Sequence, residues 1–204
     1  MISPYDRDLI SEGSELRRKW MDGIISQFDR TYLESIQKYS KVLAQRNALL
    51  KNMAEHRLFD AESIEVWNHQ MIELGHRIYD KRKAFLDEFI PVFQRHYDAI
   101  GHANEEVHLV YKSQLNDASF VDLLKQFERK DAITRYSNAG THRDDLIFQI
   151  KGHPVKKFGS QGQQKSFIIA LRLAQYEWLK THLKTLPVLL LDDIFDKLDH
   201  NRVE

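Results

Sequence analysis

The stretch FGSQGQQKS, Phe158–Ser166, decides how this chain is read. Its window Gly159–Ser166 is one glycine short of a P-loop, G-x-x-x-x-G-K-[ST], which sits between a buried strand and a helix. The sixth position is Gln164. A P-loop needs glycine there so that the backbone can close on the phosphates. The preceding HPVKKF, His153–Phe158, holds a proline and two lysines and does not read as a buried strand. The alternative places Ser160 and Gly162 at the start of a long helix. Unpaired N–H groups and the positive end of the helix dipole favour an anion there. Ser160 adds a hydroxyl and Gly162 permits close approach. Lys165–Ser166 keep the P-loop reading open beside it.

The residues C-terminal to this stretch fit a nucleotide-handling site. Gln163–Lys180 has a helical pattern, with Phe167, Leu171, Ala174 and Trp178 on one face. Pro187–Leu191 is wholly apolar and runs into Asp192–Asp193, as a buried parallel strand does. An apolar strand ending in two aspartates is the Walker B pattern. Its first carboxylate, Asp192, would hold Mg2+ through waters, and its second, Asp193, would polarise an attacking water.

Upstream the chain is helical. Residues 14–27 place Leu16, Trp20 and Ile24 on one face. Ile36, Tyr39, Leu43, Leu50 and Met53 recur at three- and four-residue steps, interrupted by Arg46. Ile64, Trp67, Met71, Leu74, Ile78 and Phe85 do the same, interrupted by Lys81. Asp60 between them is an N-cap candidate, and the short connection predicts an antiparallel hairpin. Its stripe reads as a coiled-coil seam or as one face of a helical lobe. Val107–Lys112 alternates as a strand. Ser119 and Asp122 open a helix running to about Arg135. Asp145–Lys151 reads as a second strand, Gly152–Pro154 as a turn, and Val155–Phe158 as a segment pairing back. The expectation is an α/β fold with a large helical part. Residues 1–105 would form the helical lobe, and residues 106–204 the α/β part.

The 204 residues carry 30 Lys plus Arg against 30 Asp plus Glu. With no net charge, any nucleic-acid contact must rest on a local patch. The absence of cysteine excludes disulfides, thiolate zinc sites and cysteine nucleophiles. No apolar run is long enough to span a bilayer. The opening MISPYDRDLISEG carries charge where a signal peptide would be apolar. A cytoplasmic location without membrane attachment is expected.

Several motifs together resemble a known family. SQGQQ, Ser160–Gln164, resembles the signature motif of ABC-type ATPases, and DKLD, Asp196–Asp199, resembles their D-loop. Add GTHRDD from Gly140, ALRLAQ from Ala170, LDDI from Leu191 and the opening ISP…SEGS…RR…D. The combination resembles the RecF family of bacterial DNA-repair proteins, which are SMC-like ABC ATPases. Thr141 departs from that pattern, where the family usually has proline before His-Arg. A larger departure is the lack of any G-x-x-x-x-G-K-[ST]. The resemblance therefore implies the middle and late part of a RecF-like protein, with a truncated parallel sheet, a helical lobe and an antiparallel hairpin, but no ATP cradle.

The same resemblance implies an ATP-dependent homodimer that sandwiches two ATP molecules. Ser160, Gln161, Gly162, Gln163 and Gln164 would meet the partner's γ-phosphate, and Asp196 and Asp199 would cross the interface. ATP and Mg2+ would bind only in the complete protein. DNA at gaps or single-strand/double-strand junctions, RecR and RecO are the implied partners. Two other readings stand beside it: a non-enzymatic helical adaptor with relic motifs, and a phosphotransferase whose degenerate P-loop needs Lys165. His142 and Arg143 either touch DNA or nucleotide or brace their loop. Lys156–Lys157 reads as a solvated edge.

Overall fold

The computed structural model describes residues 4–56, 60–100 and 105–190. A 3-10 turn at Pro4–Arg7 leads into α1 (Asp8–Ser11), α2 (Ser14–Ile25), α3 (Arg30–His56) and α4 (Ala61–Ile100). Then come β1 (Val107–Lys112), α5 (Phe120–Thr134), β2 (Asp145–Ile150), β3 (His153–Pro154), α6 (Val155–Phe158) and α7 (Gln161–His182). These elements form two compact units. One comprises the described residues of Met1–Phe28, Ala84–Tyr111 and Asp145–Glu204. The other comprises those of Asp29–Lys83 and Lys112–Asp144. Each unit draws on segments from both sides of residue 105.

The second unit is built on a helical hairpin. Asp29 caps α3 by accepting the Tyr32 N–H at 2.8 Å, and Asp60 accepts the Ser63 N–H at the start of α4. Leu50, Met53 and Ile64 cluster near the hairpin's turn. Arg46 Nε donates to Asn68, and at the far end Arg82 Nε donates to Tyr32 Oη, so the two helices run antiparallel.

The buried stripe of α3 is Tyr32, Ser35, Tyr39, Val42, Arg46, Leu50 and Met53. Arg46 does not interrupt that stripe; it is part of it. On α4 the in-register cation is Arg82, which is buried, while Lys81 is exposed. Arg46 Nη1 lies 2.7 Å from Asp131 on α5 and 2.8 Å from Ser137 Oγ. Asp131 also accepts the Asn138 backbone and side-chain N–H groups. Arg82 Nη1 binds Asp144 and the Thr141 carbonyl, each at 2.8 Å. Both charges are desolvated, and each is matched by a carboxylate and neutral acceptors, as burial requires.

The 137–144 loop is closed onto this scaffold. His142 lies between Tyr39 Oη at 3.0 Å and the Ser137 carbonyl at 3.1 Å. Arg143 donates to the same carbonyl and stands over the Tyr136 ring. Gly140 has φ +128°, and a Cβ there would run into Tyr39 and Phe120. Only glycine satisfies both conditions.

In the first unit α7 is the central element. Ser166–Leu171 are all buried. Phe167 packs on Phe93, Tyr97 and Phe148, and Trp178 packs on Phe85 and Phe28. On α4, Phe85, Phe89, Phe93 and Tyr97 line up at four-residue steps to supply much of that surface. The sheet order is β1-β2-β3, with β2 antiparallel to β3. Arg17 of α2 grips Asp145 with two hydrogen bonds, 2.8 and 3.1 Å long, at the start of β2.

Three local expectations change. Val155–Phe158 forms a helical turn, and His153–Pro154 pair back instead, after a Lys151–Gly152 turn with φ of 50° and 75°. Leu16 is exposed, while Trp20 and Ile24 are buried. No strand forms over 187–190, where Val188 is 80 % and Leu190 59 % exposed. A strand needs a neighbour for its N–H and C=O groups, and none of the described residues pairs with this run.

Arg46→Met leaves Asp131 charged and buried without its counter-ion. Urea unfolding should show a loss of about 3–5 kcal/mol, against less than about 1 kcal/mol for the exposed Arg77→Met. Burial pushes the Asp29 carboxyl up, but Lys81 at 2.7 Å and the Tyr32 and Thr31 N–H groups outweigh it and hold it below the usual carboxylate range. Its folded pKa is thus depressed. The stability it adds is full above the unfolded value, about 4, and is lost as pH falls through the folded value. Asp29→Asn should flatten that part of the acid limb when unfolding is followed from pH 6 downward.

Candidate functional site

The stretch Ser160–Gln164 opens α7. Ser160 is the N-cap, with φ −60° and ψ 164°. Its Oγ accepts the Gln163 N–H at 3.2 Å, and Gln163 Oε1 accepts the Ser160 N–H at 2.8 Å. This reciprocal capping box satisfies two of the helix's open donors. Gln163 is itself held: its Nε2 donates to Glu105 at 2.8 Å, and Glu105 accepts the Tyr97 hydroxyl at 2.8 Å. Gln164 folds back, donating to the Gly159 carbonyl at 3.0 Å and accepting weakly from Arg7 at 3.4 Å.

Two backbone donors and one hydroxyl remain uncommitted. Among the described residues the N–H groups of Gln161 and Gly162, at the first two helical positions, have no acceptor. Ser160 Oγ accepts from Gln163 but donates to no described residue, so its proton is available. All three are donors at the positive end of a 22-residue helix. Ser160 and Gln161 are exposed and Gly162 is half-buried. Gly159 just before them is required sterically, since a Cβ would stand 2.8 Å from the Val155 carbonyl oxygen.

This geometry bears on the two readings of FGSQGQQKS. Residues 161–166 are already helical, so no loop exists between Gly159 and Lys165 to wrap a phosphate. A helical turn, α6, precedes the stretch where a P-loop needs a strand. Lys165 lies more than one turn inside α7. The segment is a helix N-terminus.

Supporting contacts come from residues that sequence spacing does not single out. Arg172, two turns beyond Ser166, binds Asp6 at 2.6 Å and Gln175 at 2.7 Å. Gln175 also accepts from Trp20. These tie α7 to the N-terminal turn and α2. Glu105 lies 58 positions from Gln163, and no local pattern announces the pair. Asp192, Asp193, Asp196 and Asp199 lie outside the described residues. Among the described residues no group of His, Asp or Glu is arranged to hold a metal, and no helix is long and apolar enough to cross a membrane.

No protein-family model matches the chain. Curated relatives do. The chain is 54 % identical over 203 residues to the DNA replication and repair protein RecF of Flavobacterium johnsoniae, covering all of this chain and 56 % of that protein. It is 48 % identical to the RecF proteins of Phocaeicola vulgatus and Bacteroides thetaiotaomicron, covering 54 % of each. Over its whole length the chain is similar to part of a RecF protein. Among solved structures it aligns with the recombination mediator protein RecF-ATP of the RecFOR pathway at TM-score 0.89 and 29 % identity, over 98 % of this chain and 56 % of that one. The fold is thus ABC-ATPase-like of the RecF type, with helices predominating. The chain spans about half the length of the RecF proteins it matches.

Ser160→Ala removes the cap acceptor and should cost about 1 kcal/mol in urea unfolding. Ser160→Asn should retain most of that stability. Gln163→Ala should also destabilise the chain, because it strips the Ser160 N–H and the Glu105 carboxylate of a partner together.

Proposed function

We propose that the chain supplies the signature-motif and Walker B share of a RecF-type DNA-repair ATPase. The observation carrying this reading is the start of α7. A hydroxyl and two N–H groups are uncommitted there among the described residues, in a stretch that resembles an ABC signature motif. Three donors with no competing acceptor among them suit phosphate oxygens. In this reading Ser160, Gln161 and Gly162 donate to the γ-phosphate of an ATP cradled by a partner subunit. Gln163 and Gln164 hold the helix end rigid rather than binding nucleotide themselves. ATP supplies the bridging anion that closes the dimer.

Asp192 serves Mg2+ through waters, Asp193 orients the hydrolytic water, and Asp196 and Asp199 cross the dimer interface. The cradle comes from residues outside this stretch, since the chain has no P-loop sequence. Closure holds DNA at a gap or single-strand/double-strand junction, hydrolysis releases it, and RecO and RecR join in loading the recombinase. The reaction takes place in the cytoplasm.

The test is equilibrium MgATP binding by this chain, with Lys165→Ala and Asp192→Ala as controls. No binding at near-millimolar ATP is expected. Tight binding abolished by Lys165→Ala would overturn the reading. In a protein that also carries the P-loop, Asp193→Asn should slow turnover by about a hundredfold or more while sparing ATP-dependent dimerisation.

A further inference from the structure

The outward face of α5 and the loop beyond it carry a concentration of positive charge with few carboxylate partners among the described residues. Phe120, Leu123, Leu124 and Asp131 form the buried side of α5. Diametrically opposite, at four-residue steps, stand Lys125, Arg129 and Ile133, all exposed. Lys130 flanks them, and Arg135 and Tyr136 follow at the helix end, also exposed. Arg143 joins from the next turn, its guanidinium 5.3 Å from the Tyr136 ring centre.

Three features set this face apart. First, none of Lys125, Arg129, Lys130 or Arg135 has a carboxylate partner among the described residues. On α2, α3 and α4, by contrast, Lys19, Arg30 and Arg77 each pair with a glutamate four residues before or after. Between Lys125 and Arg143 the exposed carboxylate is Glu128; Asp122 stands one turn before Lys125 on the same face, its carboxylate accepting the Ser119 hydroxyl, and Asp131 is consumed by Arg46. Second, the helix dipole favours Arg135 at the C-cap but does not explain Lys125 and Arg129. Its influence is confined to the last turn, and the last turn of α5 holds no basic residue. Third, Ile133 is 72 % and Tyr136 44 % exposed amid the charges. In a chain of zero net charge, such a patch is where a polyanion would be met.

We infer that Lys125, Arg129, Lys130, Arg135 and Arg143, with Tyr136 beneath Arg143, form a DNA-backbone contact surface. The inference rests on the DNA-repair reading above and assigns it a location. The Lys125–Arg129 stripe donates to successive phosphates. Arg143 has donors to spare beyond the one given to the Ser137 carbonyl, and the exposed Tyr136 ring beside it offers a sugar or base a flat neighbour. Such contacts fix position without reading sequence.

The experiment uses the intact protein that carries this chain and a fluorescent gapped duplex, titrated at several salt concentrations with ATP present. Lys125→Gln/Arg129→Gln is compared with Lys38→Gln/Lys41→Gln, which removes equal charge from exposed positions of α3. The α5 pair should make the plot of log affinity against log salt shallower by about two, and the α3 pair should leave it unchanged. Circular dichroism and urea unfolding confirm that both variants fold. Tyr136→Ala should weaken binding with no change of slope. Equal slopes for the α5 variant and the parent would overturn the assignment while leaving DNA binding intact. Loss of an acidic partner protein with DNA binding unaltered would overturn it in favour of a protein surface. Absence of DNA binding by the parent would defeat the DNA-repair reading itself, and this inference with it.

Discussion

Two guanidinium groups sit in the apolar stripes of the helical hairpin, and the second unit is organised around satisfying them. An arginine at position 46 or 82 cannot be left without a counter-ion in that interior. Arg46 demands Asp131, which places α5 against α3. Asp131 in turn draws in the Asn138 N–H, and Arg46 draws in Ser137. Arg82 captures the Thr141 carbonyl and Asp144. The loop from 137 to 144 thus has its course set by electrostatics that hydrophobic packing alone would leave open. A well-packed apolar substitute could match the stability. The buried charges give the loop a single arrangement instead.

The same constraint explains which parts of the fold are legible in the sequence. The spacing of apolar residues announces α3, α4 and α7, and alternation announces β1 and β2, because those signals are local. Arg46 reads as a break in the pattern. A buried ion pair is a non-local fact, and its partner lies 85 positions away. On α4 Lys81 reads as the interruption, although its neighbour Arg82 is the residue in register. The Tyr39–His142 contact and the Glu105–Gln163 contact are invisible for the same reason. The short turn at Val155–Phe158 does not pair as its sequence suggests, because a pairing of only two residues, His153–Pro154, satisfies the hairpin and leaves the next residues to coil.

The start of α7 shows how one residue set meets two demands. Ser160 and Gln163 cap the helix, and in doing so they fix which donors remain. Had Ser160 Oγ not taken the Gln163 N–H, that group would stand open beside those of Gln161 and Gly162. The capping box narrows the open donors to the first two helical positions and one hydroxyl proton. Burial of Ser166–Leu171 on all sides then prevents the helix from rotating or sliding. The helix start is held in place because the helix behind it is core. A sequence pattern can locate this helix start, but it cannot say that the Gln163 side chain bonds Ser160 and Glu105 or that Gln164 folds back on the Gly159 carbonyl.

The apolar run before Asp192 presents the opposite situation. PVLLL has the composition of a buried strand, yet Val188 and Leu190 are 80 % and 59 % exposed. Composition sets what a segment can become when neighbours are present; hydrogen-bonding partners decide whether it does. A helix satisfies its own backbone, so α7 needs no second segment to complete its ladder. A strand cannot do this, and its side chains find a core only when another strand defines the plane of the sheet. The chain spans about half the length of the RecF proteins it resembles. Among the described residues, the helices, whose bonds are local, are fully formed, while the segment that needs a neighbouring strand is left without one.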